Sequence, residues 1–388
     1  MAKRNNLSRR ENQTGTNIFV HTRLNDTKKN RGDILIPIIV SVISLLGTVA
    51  VYSAGSYTAK NTYGDELFFF RKQILGVLVG LAVMVFTCFF DYRKYQKAGI
   101  YPVIASVVML ALVFVPGIGV ESYGSKRWIG VASFSFQPSE IAKFAFVFFA
   151  AGYFAKNPDR VNSIKGILPV ILAGGAICLL VIAEPNMSVT MLIGGVMLGF
   201  LFFAGAPLKR ILLMIVPVIA LVPVLIIMEP YRLKRLSAFL DPWASPKGEG
   251  YQLIQSLYAL GSGGFFGVGL FNSRQKYAFL PFAESDFILS VIGEETGFVG
   301  VTLFLSLSVV LIWRGILTAV RSKDLYGTLL ALGITLVYAL QLIINALVVT
   351  GSIPPTGIPL PLVSSGNTSV IMFTAAFGVL YNISKNSV

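Results

Sequence analysis

Residues 326–350 read YGTLLALGITLVYALQLIINALVVT, with no charged side chain. Coiled as a helix rising 1.5 Å per residue, that stretch is long enough to cross the ~30 Å hydrocarbon core of a bilayer. It runs directly into TGSIPPTGIPLPLVSSGNTS at 350–369, where four prolines fall within residues 354–361 and exclude regular helix. Apolar, irregular backbone beside a span must be buried in protein or line a cavity.

Apolar runs recur along the chain at about 34–54, 73–90, 98–117, 140–155, 165–183, 187–205, 210–228, 287–318 and 367–383. They explain a composition that is 55% hydrophobic and 13% charged, about half the ~25% charged share of a soluble domain. Mean hydropathy is +0.73. The expected fold is an all-α polytopic membrane protein: ten transmembrane helices over 34–384, preceded by a basic tail at 1–33. A large extracytoplasmic loop at about 229–286 separates spans seven and eight. This excludes a soluble enzyme, a disordered regulator and a disulfide-stapled secreted domain.

With ten spans both termini share one side. The connections on that side carry most of the 32 Lys and Arg, among them Arg93, Lys94, Lys97, Lys156, Arg160, Lys165, Lys209 and Arg210. Short basic loops stay in the cytoplasm, so both termini are expected there, in a bacterial plasma membrane. Residues 1–33 lack the apolar core of a secretory leader, and none is expected. Their Lys28, Lys29 and Arg31, within a net charge of +14, suit an anionic inner leaflet better than a nucleic acid. No fixed-period repeat is visible.

The only histidine, His21, lies in that tail, so imidazole chemistry within the bundle is excluded. Cys88 and Cys178 sit in apolar runs and read as packing residues. Carboxylates, Lys/Arg, hydroxyls and amides remain. On the outer face, Gly124-Ser125-Lys126-Arg127-Trp128 precedes FQPSEIAK at 136–143. Pro138 suits a helix start, and Glu140 and Lys143, three apart, either form a local ion pair or point their charges into the bundle. In Glu184-Pro185-Asn186 the acid is either solvated or functional. The long loop brings Arg232, Lys234, Arg235, Arg274 and Lys276 beside aromatics, which suits lipid-headgroup anchoring or a phosphorylated, sugar-bearing lipid. No Asp-x-Asp metal clamp appears. Asp286 opens the eighth run, and Glu294 and Glu295 follow it to apolar depth, where they should face the interior.

Together FQPSEIAK at 136–143, the LPFAESDF–GEETG stretch at 280–297 and GIPLPLVSSGNTS at 357–369 closely resemble the SEDS family (shape, elongation, division and sporulation), the FtsW/RodA-type membrane proteins. The resemblance runs from about 34 to 384. It implies a ten-helix peptidoglycan glycosyltransferase that polymerises lipid II beside a class B penicillin-binding transpeptidase and other division proteins. The family's catalytic aspartate falls on Asp286, and its Pro-Ser-Glu and lysine positions fall on Glu140 and Lys143. AFLDPW and NSRQKY look closer to the FtsW and SpoVE branch than to RodA. Two departures stand out: the family's Glu-Pro-Asp reads Glu184-Pro185-Asn186 here, and its Ser-Tyr-Gly-Gly-Ser reads Ser364-Ser365-Gly366-Asn367-Thr368.

With no usable histidine, a carboxylate must serve as base, and Asp286 at the water boundary is the choice. Lys126, Arg127, Lys143, Arg232, Arg235, Arg274 and Lys276 are candidates to meet the leaving diphosphate, with Glu140, Ser364 and Ser365 as further substrate-binding residues. No cofactor is required by these residues, and use of a divalent cation is left open. Two rivals share many of the same features: a lipid II flippase, which would use Glu294 and Glu295, and a non-catalytic division scaffold, which would tolerate loss of Asp286.

Overall fold

The computed structural model describes residues 32–122, 125–131, 134–228 and 230–387. Most of the basic tail expected at 1–33, with Gly124, lies outside the described residues. The described residues are mostly helical, 73% of them. In order come α1 (Leu35–Tyr63), α2 (Phe68–Phe89), α3 (Arg93–Ala98), α4 (Tyr101–Leu112), three strands, α5 (Pro138–Lys156), α6 (Ile164–Ala183) and α7 (Met187–Phe203). Then follow α8 (Leu208–Ile227), α9 (Pro230–Leu240), α10 (Tyr251–Gly263), α11 (Ile288–Val320), α12 (Leu325–Val349) and α13 (Asn367–Lys385). A helix lies on each of the ten expected runs. Five of them, α1, α2, α6, α11 and α12, are individually long and apolar enough to cross a membrane.

Four differences from the sequence reading have local causes. The all-α expectation misses a three-stranded antiparallel sheet of β1 (Gly119–Ser122), β2 (Ser125–Val131) and β3 (Phe134–Phe136). Aromatic Trp128 and β-branched Ile129 suit a strand, and β2 pairs Trp128 with Val120 and Ile129 with Phe136. The third run, expected over 98–117, is helical only to Leu112; Gly99, at φ +56°, separates it from α3. The long outer segment is not a bare loop, because α9 and α10 fold within it. Finally, α11 is interrupted at Gly297, whose φ of 65° and ψ of −167° leave the helix.

The bundle is organised around α5 and α12. Helix α5 is buried on nearly every side, as expected of a helix apolar all round. Helix α13 packs closely along α2, where Thr87 Oγ1 donates to the Ala375 carbonyl at 3.0 Å and a Cβ on Gly378 would lie 2.0 Å from that same hydroxyl oxygen. Outward-facing side chains such as Phe86, Phe89 and Leu179 stay exposed, leaving an apolar exterior suited to lipid.

Candidate active site

Asp286 stands at the end of the long outer segment, two residues before α11 begins. It is part-buried, and its Oδ1 accepts from the Ser285 hydroxyl at 3.0 Å. Burial raises its carboxyl above the ordinary aspartate range; the Ser285 bond and the guanidiniums of Arg235 and Arg127 act against that rise. Two of the seven candidate cations are therefore close enough to Asp286 to act on it. Arg235, on α9, also donates to the Pro355 carbonyl at 3.1 Å. Arg232 is three residues earlier on the same helix and so shares its face.

The irregular segment 351–366 forms the wall behind Asp286. Leu360, Leu362, Val363 and Ser364 are buried, as irregular backbone at membrane depth requires. Its carbonyls are met by side chains from the surrounding helices: Gln73 of α2 donates to Val363 at 3.1 Å, and Gln341 of α12 to Pro359 at 3.0 Å. Asn345 of α12 donates to Ile358 and to the Asp286 carbonyl, both at 2.8 Å. Ser364 Oγ donates to the Ser285 carbonyl at 2.7 Å and accepts from its own loop's Leu360 N–H at 2.7 Å, while the Ser365 N–H reaches the Glu284 carbonyl at 2.9 Å. Gly357, at φ +72°, lies so close that a Cβ there would stand 3.3 Å from Asp286 Oδ2.

Glu140 and Lys143 do point into the bundle and also pair with each other. Lys143 Nζ lies 2.8 Å from Glu140 Oε1 and 2.7 Å from Gln341 Oε1, and Lys143 is 1% exposed. It stands over the Phe373 ring at 5.5 Å. Its ammonium is thus committed to protein groups, and it reaches the site through Gln341 and Pro359 instead of facing outward. Gln137 N–H donates to Thr368 Oγ1 at 3.2 Å, joining the start of α5 to the start of α13.

The β2 strand separates two residues the sequence reading grouped together. Neighbouring strand residues face opposite sides. Arg127 turns inward and donates to the Glu184 carbonyl at 3.1 Å and the Pro185 carbonyl at 2.6 Å, whereas Lys126 is exposed. Glu184 is buried, not solvated, and neither carboxylate oxygen has a partner. Burial lifts its carboxyl to about 8 against the pull of Arg127. Asn186 caps α7 by accepting from Val189 N–H at 3.3 Å, a task asparagine performs as well as aspartate.

The remaining expected cations lie elsewhere. Lys276 is buried in its own loop and donates to the Phe271 carbonyl, while the Arg274 side chain is exposed. Glu294 and Glu295 are interior, but they serve as anchors for that loop. Glu294 accepts from Ser273 Oγ and from the Arg274 N–H at 3.0 Å; Glu295 accepts from Ser53 Oγ at 2.5 Å and the Ser273 N–H at 3.3 Å. Sequence reasoning passed over Gln341 and gave Asn345 no role. The available signal was their spacing of four, which puts two amides on one face of an apolar helix.

The chain matches the model of the FtsW/RodA/SpoVE family of cell cycle proteins over residues 33–388. It is 38% identical over 362 residues to stage V sporulation protein E of Bacillus subtilis (strain 168), covering 93% of this chain and 99% of that one. It is 38% identical over 353 residues to the probable peptidoglycan glycosyltransferase FtsW of Geobacter sp. (strain M18), covering 91% and 96%. Its fold resembles a chain from a peptidoglycan synthase complex solved to explain how polymerization and crosslinking are coordinated: TM-score 0.76, 26% identity, 91% of this chain and 98% of that one. The rod shape determining protein RodA of Thermus thermophilus shares the fold at TM-score 0.66 and 23% identity, covering 92% and 98%. With three motif segments joined at one carboxylate and a family match over nearly its whole length, this chain is a multi-pass membrane protein of the FtsW/RodA/SpoVE family.

Proposed function

We propose that this chain is a peptidoglycan glycosyltransferase that polymerises lipid II at the outer face of the plasma membrane, in septal wall synthesis. The observation that carries this reading is Asp286, a part-buried carboxylate under the influence of two guanidiniums and backed by a rigid proline-rich wall. The relative named as a probable peptidoglycan glycosyltransferase FtsW supports the enzyme class. Ten crossings with both termini in the cytoplasm would set Asp286 on the outer side.

In this chemistry a sugar hydroxyl of the acceptor attacks the anomeric carbon of a lipid-diphosphate donor. The new C–O bond forms as the bond to the diphosphate breaks. Asp286 takes the hydroxyl proton, and its raised basicity suits that task. Arg235 and Arg127 are the cations best situated to meet the charge growing on the diphosphate. Among the described residues no three His, Cys, Asp or Glu side chains gather, and no step is routed through a divalent cation.

The flippase reading loses its main support, because Glu294 and Glu295 are occupied as loop anchors. The partner we propose is a class B penicillin-binding transpeptidase, by analogy with the complex whose polymerising and crosslinking functions are coordinated. The test is glycan-chain formation from purified lipid II, with and without a cognate transpeptidase. Chains are expected, with more in the partner's presence. Transbilayer movement of lipid II without any polymer would overturn the reading.

A further inference from the structure

Asp286 sits at a junction where its backbone is not yet part of a helix. The first turn of α11 closes one residue later, with Ser290 N–H donating to the Phe287 carbonyl at 2.9 Å. Hence the backbone carrying the carboxylate must be fixed from outside its own element. Ser364 holds the preceding Ser285 carbonyl, and Asn345 is the side chain that holds the Asp286 carbonyl itself. It is fully buried on α12, and its Nδ2 has two hydrogens for two acceptors, the carbonyls of Asp286 and Ile358, each at 2.8 Å. Because both partners accept, the nitrogen and not the oxygen must face them.

This arrangement carries a local cost. Asn345 Oδ1 is buried without a partner, a cost to the fold that leucine in the same apolar helix would avoid. In return, this amide ties the Asp286 carbonyl itself to the proline-rich wall, next to Gly357, where no Cβ intrudes on Asp286 Oδ2. We infer that Asn345 is a positioning residue: by clamping the Asp286 and Ile358 carbonyls together it fixes the distance between the Asp286 carboxylate and the wall against which the acceptor hydroxyl must lie. This rests on Asp286 being the base of the proposed reaction.

The test is a double-mutant cycle on lipid II polymerisation by the full chain with its transpeptidase, using Asn345→Leu and Asp286→Asn. Displacing a reacting group by about 1 Å can cost ~10²-fold, so Asn345→Leu should lower the rate by roughly that factor when Asp286 is present. In the Asp286→Asn background the same change should cost less than about 3-fold, because no base is left to misplace. An equal factor in both backgrounds would mean that Asn345 only supports packing, and would overturn the inference. Should the leucine variant fail to yield folded protein, Asn345→Ser, which keeps one shorter donor, takes its place in the cycle with the same two outcomes. If Asp286→Asn alone polymerises at the parent rate, the assignment of the base fails instead, and the inference goes with it.

Discussion

The basicity of Asp286 is a balance between burial, which raises it, and positive charge, which lowers it. Arg235 is the stronger of the two cations opposing the rise, so Arg235→Gln should let the carboxyl climb further. A base works only when ionised. The acidic limb of the pH–rate profile for polymerisation should therefore move to higher pH in Arg235→Gln, and an unmoved or lowered limb would contradict this electrostatic picture. A second contrast separates two lysines. Lys143 is 1% exposed and bonded to Glu140 and Gln341, whereas the Lys60 side chain is 68% exposed and 4.0 Å from Glu66. Removing one partner of a buried pair costs about 3–5 kcal/mol, and of an exposed pair ~0–1 kcal/mol. Lys143→Ala should thus lower the unfolding temperature and the activity markedly, while Lys60→Ala leaves both close to the parent; equal small effects would remove the pair from the account.

At the scale of elements, the break in α11 is what allows the outer segment to dock. Interrupting a helix strands backbone groups, and here the chain at 264–269 satisfies them. Val268 and Gly269 N–H donate to the Glu294 and Glu295 carbonyls at 2.9 and 3.0 Å, and Phe298 and Val299 N–H donate to Gly264 and Phe265 at 3.0 and 3.1 Å. Gly297 adopts backbone angles essentially restricted to glycine, and a Cβ there would meet the Gly267 nitrogen at 2.3 Å. Gly297→Ala should undock residues 264–277 and expose them to limited proteolysis in the membrane; protection equal to the parent's would contradict the docking role. Nothing in the apolar run 287–318 marks that break, since glycine is common in packed spans. The runs themselves were legible because twenty apolar residues have few alternatives to a helix, and buried Glu140 and Lys143 because charge at a span boundary needs a partner. The sheet at 119–136 was less so, since short strands leave only a few alternating positions. Lys126 and Arg127 looked equivalent as neighbours in sequence; only the strand's alternation sends them to opposite sides. Lys276 read as a substrate cation because composition cannot tell an exposed loop lysine from one that closes its own loop.

For the whole molecule, the proposed chemistry depends on which side of the membrane the site faces. The basic residues cluster in the alternate connections assigned to the cytoplasm, so a reporter fused after Val388 should be active only there. Activity on the outer side would alter the span count and put the three motif segments on the wrong face. Within the bundle those segments meet through a continuous series of bonds: Glu140 to Lys143, Lys143 to Gln341, Gln341 to Pro359, and Asn345 from Ile358 to Asp286. The series ends at the group proposed to take the proton, and that group offers the most direct measurement. Asp286→Asn preserves size and most hydrogen bonding but cannot accept a proton as a carboxylate does. General-base catalysis contributes about 10²–10⁴-fold, so polymerisation of purified lipid II should fall by roughly that factor while membrane insertion and transpeptidase binding stay at the parent level. Polymerisation by Asp286→Asn at close to the parent rate would contradict the account.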